Sequence, residues 1–312
     1  DGDGGEIVVW SDITNPDSLT TVAGTLLASG GFEGGDGGEI ETSGYNLRVN
    51  KILISTKALF GKDGRWLLDP PDIHIVEYSG SDYENDSGII TGTASDSYVS
   101  TETIVQALSV SDVTIKTTNP SSGSVSGGGD ISVNSPINDS SDNNLSFEAA
   151  GSIHLREGEL IGNNEYEPII SRSGSGNLTL LSDEYIHVDG DIALGSGGVL
   201  AFESAESSYF VGNFSGTGAS FVKNGSASME MEGKMTHTGS TTINAGYLIS
   251  GRRFEYSGDT TGALSGGSDL IVASGASLEM ENNDSVKSIS GAGEIHLGGS
   301  SLTINGGSAD LV

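Results

Sequence analysis

Apolar residues along this 312-residue chain alternate with polar ones in short runs, at a period of two and not 3.6. Asn177-Leu178-Thr179-Leu180, Ser228-Met229-Glu230-Met231 and Ser301-Leu302-Thr303-Ile304 show the alternation, as do Ile52-Leu53-Ile54 and Val113-Thr114-Ile115 with their flanks. Clusters of Gly, Asn, Asp and Ser interrupt these runs every few residues, which is turn chemistry. Short strands with frequent turns make a sandwich, a barrel or a β-helix. Self-similarity decides among them. Gly2-Asp3-Gly4-Gly5-Glu6-Ile7 recurs unchanged as Gly35-Asp36-Gly37-Gly38-Glu39-Ile40. An Ile-His-aliphatic element appears at His74, His154, His187 and His296, and Asp130-Ile131-Ser132-Val133 has a counterpart in Asp191-Ile192-Ala193-Leu194. The pattern predicts an all-β chain folded as a right-handed parallel β-helix. Coils of about 20 residues, each advancing about 4.8 Å, would give a rod roughly 60 Å long.

One stretch breaks the pattern. Residues 77–112 are acidic and rich in Ser and Tyr, with little to bury around Asp82–Asp86. Ser100 or Thr101 then reads as the N-cap of a brief helix through Ile104, Val105 and Leu108. The predicted organisation is therefore coils over 1–76, an excursion with a short helix over 77–112, and coils over 113–312.

Composition fits a thin core. Glycine numbers 48 and proline 6, apolar residues make up 35% and aromatics 6%. Such a chain cannot fill one thick core, but it can fill a slender one in which each coil buries its apolar side chains against its neighbours. There is no cysteine, which fits a reducing compartment or a large exoprotein that stays unfolded during export. The net charge of −30 opposes binding to phosphate backbones and anionic lipid, and so excludes nucleic acid as a partner. It favours solubility and divalent cations. No apolar run approaches the length of a membrane span. The chain opens on a glycine-rich turn, without a signal peptide, and reads as a section of something longer.

Three blocks carry a family resemblance: Gly5-Glu6-Ile7-Val8-Val9-Trp10-Ser11-Asp12, Gly35 to Gly44, and Trp66-Leu67-Leu68-Asp69-Pro70-Pro71-Asp72-Ile73. Their order resembles the filamentous-haemagglutinin and high-molecular-weight adhesins of the two-partner secretion group. Gly129–Asn134 and Gly176–Leu180 continue it. From about residue 212 the character shifts, and Gly216–Gly225 with His237–Leu248 is similar to the passenger repeat of autotransporters. These resemblances imply an exported, surface-held fibre, with the outer-membrane transporter of the parent protein as a partner. Trp66, Leu67 and Leu68 are expected to plug the coil interior, Trp10 likewise, and Asp69-Pro70-Pro71 to force an extended turn.

Candidate chemistry is sparse. Four His residues lie between aliphatics, so alternation turns them outward; they fall in separate coils, which argues against a metal site. Asp82, Glu84 and Asp86 are the leading candidate Ca²⁺ ligands, with Asp1 and Asp3 and the pair Asp36 and Glu39 as further groups, although none follows a known calcium loop. No other cofactor is expected. Polysaccharide hydrolases and lyases of this fold need converging carboxylates or a basic residue, and Arg156, Arg172, Arg252 and Arg253 are scattered without obvious acidic partners. The chain therefore reads as a non-enzyme. Asn-x-Ser/Thr sequons at Asn85, Asn138, Asn144, Asn177, Asn213, Asn224 and Asn283 follow from a composition rich in these residues. Ligand contact falls to Tyr78, Tyr83 and Tyr98, rigid amphipathic side chains suited to sugar or protein. The expected role is a stalk, or an adhesive flank for glycan, host surface or biofilm matrix. The alternatives are end-to-end or lateral self-association as a matrix scaffold, and a carbohydrate-active enzyme.

Overall fold

The computed structural model describes residues 2–77, 97–119, 128–156, 160–161, 165–166, 168–251, 262–306 and 309–311. It is a parallel β-helix. One 12-stranded sheet runs from Glu6–Trp10 through Arg65–Asp69, Leu145–Ala149 and Ser220–Lys223 to Ala309–Leu311. A second 12-stranded sheet runs from Leu19–Leu27 to Glu294–His296. A third, four-stranded face is built by Ile137–Asp139, Ile170–Arg172, Ile192–Leu194 and Phe214–Ser215. Leu178 pairs with Leu200, Phe221 with Thr241 and Leu270 with Ile289, so each step closes a coil of about the predicted length. At about 4.8 Å per step, the twelve strands span roughly 53 Å.

Alternation does the sorting. In Arg65–Asp69, Trp66 and Leu68 are buried while Arg65 is exposed and Leu67 and Asp69 are half-exposed. Inward positions then stack in files, such as Ile40, Trp66, Val113, Leu145, Leu178, Leu200 and Phe221. Every member of that file is at most 1% exposed, so the core is a column of touching aliphatic and aromatic side chains. Trp66 is held further by its indole N–H, which donates to Thr42 Oγ1 at 3.0 Å. Two expectations need correction here. Leu67 does not plug the interior, because a strand residue between two inward neighbours faces out. Trp10 is 64% exposed, on the outer side of the edge strand Glu6–Trp10, where the alternation of Ile7 and Val9 inward turns it to solvent.

The duplicated glycine-rich segment proves to be a stacked corner. Glu6 pairs with Glu39 and Ile7 with Ile40, and a Cβ on Gly38 would collide with the carbonyl of Gly5 beneath it. Only glycine lets the two backbones lie so close. The other apparent repeat, Asp130–Val133 and Asp191–Leu194, joins strands of different sheets. What the two share is the leading Asp: Asp130 accepts from the backbone N–H of Ser152 at 2.7 Å, Asp191 from that of Asn213 at 2.7 Å.

The same device engages further Asp and Asn residues along the rod. Asp3 accepts from Asp36 N–H, Asp36 from Lys62 N–H, Asp112 from Asn144 N–H, Asn144 from Asn177 N–H and Asn177 from Val199 N–H, at 2.7–3.1 Å. Each carboxylate or amide ties a coil corner to the next one. Asp3 and Asp36 are therefore engaged in the backbone, and Glu39 meets the Arg65 guanidinium at 3.3 Å, instead of converging on a cation.

The segment 77–112 divides. Residues 78–96 lie outside the described residues. Ser97–Ser100 is a strand of the second sheet, inserted between Asn46–Ser55 and Ile73–Val76, so that the later strand precedes the earlier one in the stack. The helix Thr101–Leu108 follows, its first turn capped by Ser100 Oγ, which accepts from Thr103 N–H at 3.1 Å. Its buried residues Ile104, Ala107 and Leu108 belong to the core. Sequence patterning shows the helix and its cap but not the strand before it, whose four residues have too few periods to display; residues 97–112 are thus part of the coil stack and its core, not an excursion from it.

Candidate functional site

The outward face of the second sheet carries an aligned file of side chains. Register places Arg48 beside Tyr98, Tyr98 beside His74, His74 beside Ser132, Ser132 beside His154, His154 beside His187 and His187 beside Tyr209. The inward neighbours of those from Tyr98 to Tyr209, such as Ile73 and Ile75 or Ile186 and Val188, are at most 1% exposed. They anchor the strands while the file faces out.

Neighbouring rings touch in pairs, one stacked, one tilted and one edge-on. His74 lies 5.2 Å from Tyr98 with planes 23° apart, His187 lies 6.1 Å from Tyr209, and Tyr185, also on this face, meets His154 edge-on at 5.4 Å. The file thus forms a lane across six strands, from Tyr98 to Tyr209, with rings at five positions and the buried Ser132 between His74 and His154.

Carboxylates flank it. Asp189, two residues beyond His187, reaches the Nε2 of that ring at 3.0 Å. Asp72 and Asp130 precede the lane positions of their strands by two residues and so share the face; each also accepts from the backbone of a neighbouring coil. Glu184 holds Ser152 Oγ at 2.9 Å, and the file beyond Tyr209 continues as Glu230. Arg48 at one end and Arg156 beside His154 are the nearby cations. Burial holds the His154 imidazole below its ordinary pKa. The arrangement offers flat faces for stacking and a border of acceptors. It does not gather a nucleophile, a base and an oxyanion donor around one point.

Of the three tyrosines assigned to ligand contact from sequence, Tyr98 joins this lane, beside the histidines His74, His154 and His187. Tyr78, Tyr83, Asp82, Glu84 and Asp86 fall outside the described residues. Asp69 sits at the corner before Pro70, where it accepts from Thr118 Oγ1 at 2.8 Å and burial raises its pKa. Among the described residues, no group of three or more His, Asp and Glu is placed to hold a metal ion. The histidines do occupy separate coils, but parallel register lines three of them up, and that alignment was the missed signal. Ser-Tyr-Val at Tyr98 and Ser-Tyr-Phe at Tyr209 fill the slot that Ile-His-aliphatic fills elsewhere.

Arg172 also departs from expectation. Its guanidinium is buried against Asp139 at 2.9 Å and donates to the carbonyls of Asn143 and Asn177. A partner 33 residues away in sequence is invisible until register is known. The fifth histidine, His237, is fully buried beside Phe214. A groove of about 510 Å³ near Lys234 and Asn283 contains Asp284, whose carboxylate accepts from Ser250 Oγ at 2.6 Å and Leu264 N–H at 2.9 Å; it serves the fold.

Fold and lane together define a parallel β-solenoid with one patterned lateral face. No family model matches the chain. It is similar to the adhesin BmaC autotransporter of Brucella suis biovar 1 (strain 1330), with 29% identity over 277 residues. That alignment covers 87% of the chain and 7% of the Brucella protein's length. Among the described residues, no helix is long and apolar enough to cross a membrane.

Proposed function

We propose that the chain is a section of the rod of a bacterial surface adhesin, exported as an autotransporter-type passenger. The observation that carries this reading is the likeness to an adhesin over 87% of the chain, on a fold that repeats coil by coil. A solenoid section of this kind offers a long flank for contact. Adhesion is then lateral, through the lane from Tyr98 to Tyr209, and the receptor is a glycan of the host surface or of a biofilm matrix. The outer-membrane transporter of the parent protein is the export partner. The Trp66-Leu67-Leu68-Asp69-Pro70 block favours the two-partner route as the finer alternative.

The test is display of the chain on a non-adherent bacterium, fused to an autotransporter barrel, with binding to epithelial cells and to immobilised glycans scored against an unrelated β-helix passenger. Adherence above that control supports the reading. Equal adherence reduces the chain to a spacer. Release of reducing ends from polysaccharide by the purified chain would reverse the non-enzymatic assignment.

A second reading, a self-associating scaffold, draws on the outward Leu27, Leu53, Leu59 and Phe60 of the first coils, each more than half exposed. Sedimentation equilibrium decides it, since a monomer at all concentrations removes it.

A further inference from the structure

The proposed adhesive rod leaves its ligand unspecified, and the charge and geometry of the lane narrow the choice. Resting on that reading of the chain, we propose that the lane binds an extended, cationic amino-sugar polysaccharide lengthwise, one sugar ring per coil.

Geometry supplies the first argument. Tyr98, His74, Ser132, His154, His187 and Tyr209 occupy consecutive strands of one parallel sheet. They therefore recur at about 4.8 Å, over roughly 24 Å in total. A pyranose unit in an extended glycan has about the length of one such step, so successive rings meet successive lane positions. Sugar rings present C–H faces that stack on Tyr and imidazole, while their hydroxyls need acceptors at the edges. Asn134, Asp189 and Tyr185 stand there.

Charge supplies the second argument. An anionic glycan would approach a chain of net charge −30 against repulsion, and it would face Asp72, Asp130 and Asp189 beside the lane. A neutral glycan would gain no attraction from their charge. A polymer of protonated amines is drawn in by the field of the whole rod, and its ammonium groups find carboxylates alongside the stacking faces, where aromatic rings also attract cations. The carboxylates nearest the lane are already anchored to the protein: Asp72 and Asp130 by backbone N–H groups, Asp189 by His187. They are thus held in place before a ligand arrives, which lowers the ordering cost of binding.

A rod this acidic will collect polycations of any shape, so the experiment must separate the lane from the field. Calorimetric titration of the whole chain would use three probes: glucosamine oligomers with protonated amines, the corresponding N-acetylated oligomers, and short polylysine. The expected result is that the glucosamine series binds more tightly as it lengthens to about six units, one per lane strand, and gains little beyond. Replacing Tyr98 and Tyr209 together by Ser changes no charge and should weaken glucosamine hexamer binding about tenfold, leaving polylysine unaffected. Asp189→Asn, a near-isosteric change at a half-exposed position, should weaken it by a smaller factor and lessen its salt dependence, and it keeps the test open if the double Tyr variant folds poorly. The proposal is overturned if the acetylated oligomers bind equally well. It is overturned too if lane substitutions leave hexamer affinity unchanged, which would reduce the effect to counter-ion collection. Continued cell adherence in the display assay by a chain that ignores amino sugars would sink this inference alone and leave the adhesin reading standing.

Discussion

The middle coils and the later coils solve the same problem differently. Between Ile137 and Phe202 the interior is filled mainly by Ile, Leu, Val and Phe, with Ser152 and Ser182 at 2% exposure among them, and the cation it admits, Arg172, sits against the Asp139 carboxylate with both side chains at most 3% exposed. Between Ser220 and Asp284 the interior takes in Lys223, His237, Thr241, Ser250 and Ser268, all at most 1% exposed. Lys223 is met by carbonyls: its ammonium donates to those of Asn224, Gly225 and Ala245 at 2.8–3.1 Å. A buried charge therefore survives in a coil either by pairing with its opposite or by capping the turns of its own and the next coil. Both routes combine carbonyls of the same turn with a group one coil away. The middle coils are thus expected to be the stable part of the rod and the later coils the sensitive part.

The sharpest way to break this contrast is to remove one partner of the ion pair. Arg172→Met leaves Asp139 buried with only the N–H and Oγ of Ser141 as donors, and should cost about 3–5 kcal/mol. Solenoids unfold by neighbouring units and not as one body, so amide exchange mapped along the chain is the proper measurement. Fast exchange should spread through Ile170–Ser182 and its neighbours, while Ser240–Met280 stays protected. Uniform loss of protection along the rod would show that the coils are not independent.

The next effect runs the other way, opening the later coils and sparing the middle ones. Burial pushes the His237 imidazole down to about 4, below the ordinary value of about 6.5. The folded coil therefore favours the neutral ring. Its contribution is complete above the unfolded pKa and is lost as pH falls from about 6.5 toward 4, on the order of 3 kcal/mol in all. Exchange at Ser240–Ile243 and Asp269–Val272 should accelerate over that window. His237→Phe, which packs against Phe214 without a titrating group, should abolish the pH dependence even if it shifts the baseline. An unchanged acid profile in that variant assigns the effect to the carboxylates instead.

These contrasts also mark what patterning could and could not reveal. Period-two alternation was enough for the strands and the solenoid, because Trp66, Leu68, Leu178 and Leu180 obey it residue by residue. The duplicated glycine-rich turn was enough to fix one register, that of Ile7 on Ile40. The lane needed more. His74 and Tyr98 stack because the chain inserts Ser97–Ser100 beneath Ile73–Val76, and no local signal encodes a strand that doubles back. The pairing of Arg172 with Asp139 likewise depends on a register set by the coil between them. Chemistry between coils is legible only when the coil length is, and here the length varies from step to step.

Lys223 tests the second route for a buried charge. Burial pushes its ammonium down to about 8, so the folded state sheds this proton before the unfolded chain does and stability gains as pH rises from about 8 to the ordinary value near 10.4. Lys223→Met removes the desolvated charge but leaves three carbonyls without their donor, and the loss should dominate at about 1–3 kcal/mol. Exchange at Ser220–Lys223 and at Ser240–Ile243, one coil on, reports it. A more stable Met variant would mean that the carbonyls find water and that the charge was simply tolerated.

The smallest effect compares the two regions at a single shared position. One file runs along the start of the first sheet's strands, through Asp112, Asn144, Asn177, Val199, Ser220, Ser240 and Asp269. In the middle coils an amide bridges the step, since Asn177 Oδ1 accepts from Val199 N–H at 3.0 Å. In the later coils a hydroxyl does the same, with Ser220 Oγ accepting from Ser240 N–H at 3.1 Å. Both bridges lie near solvent, so water can replace part of what is lost. Asn177→Ala should cost about 1 kcal/mol and Ser220→Ala about 0.5 kcal/mol, the lower end of the range for a hydrogen bond whose orphaned donor stays close to water. Local exchange at Val199 and at Ser240 measures each bridge separately. If the serine bridge proves the costlier, the later coils depend more on their corners than on their interiors, and the ranking of the two regions inverts at the surface while holding in the core.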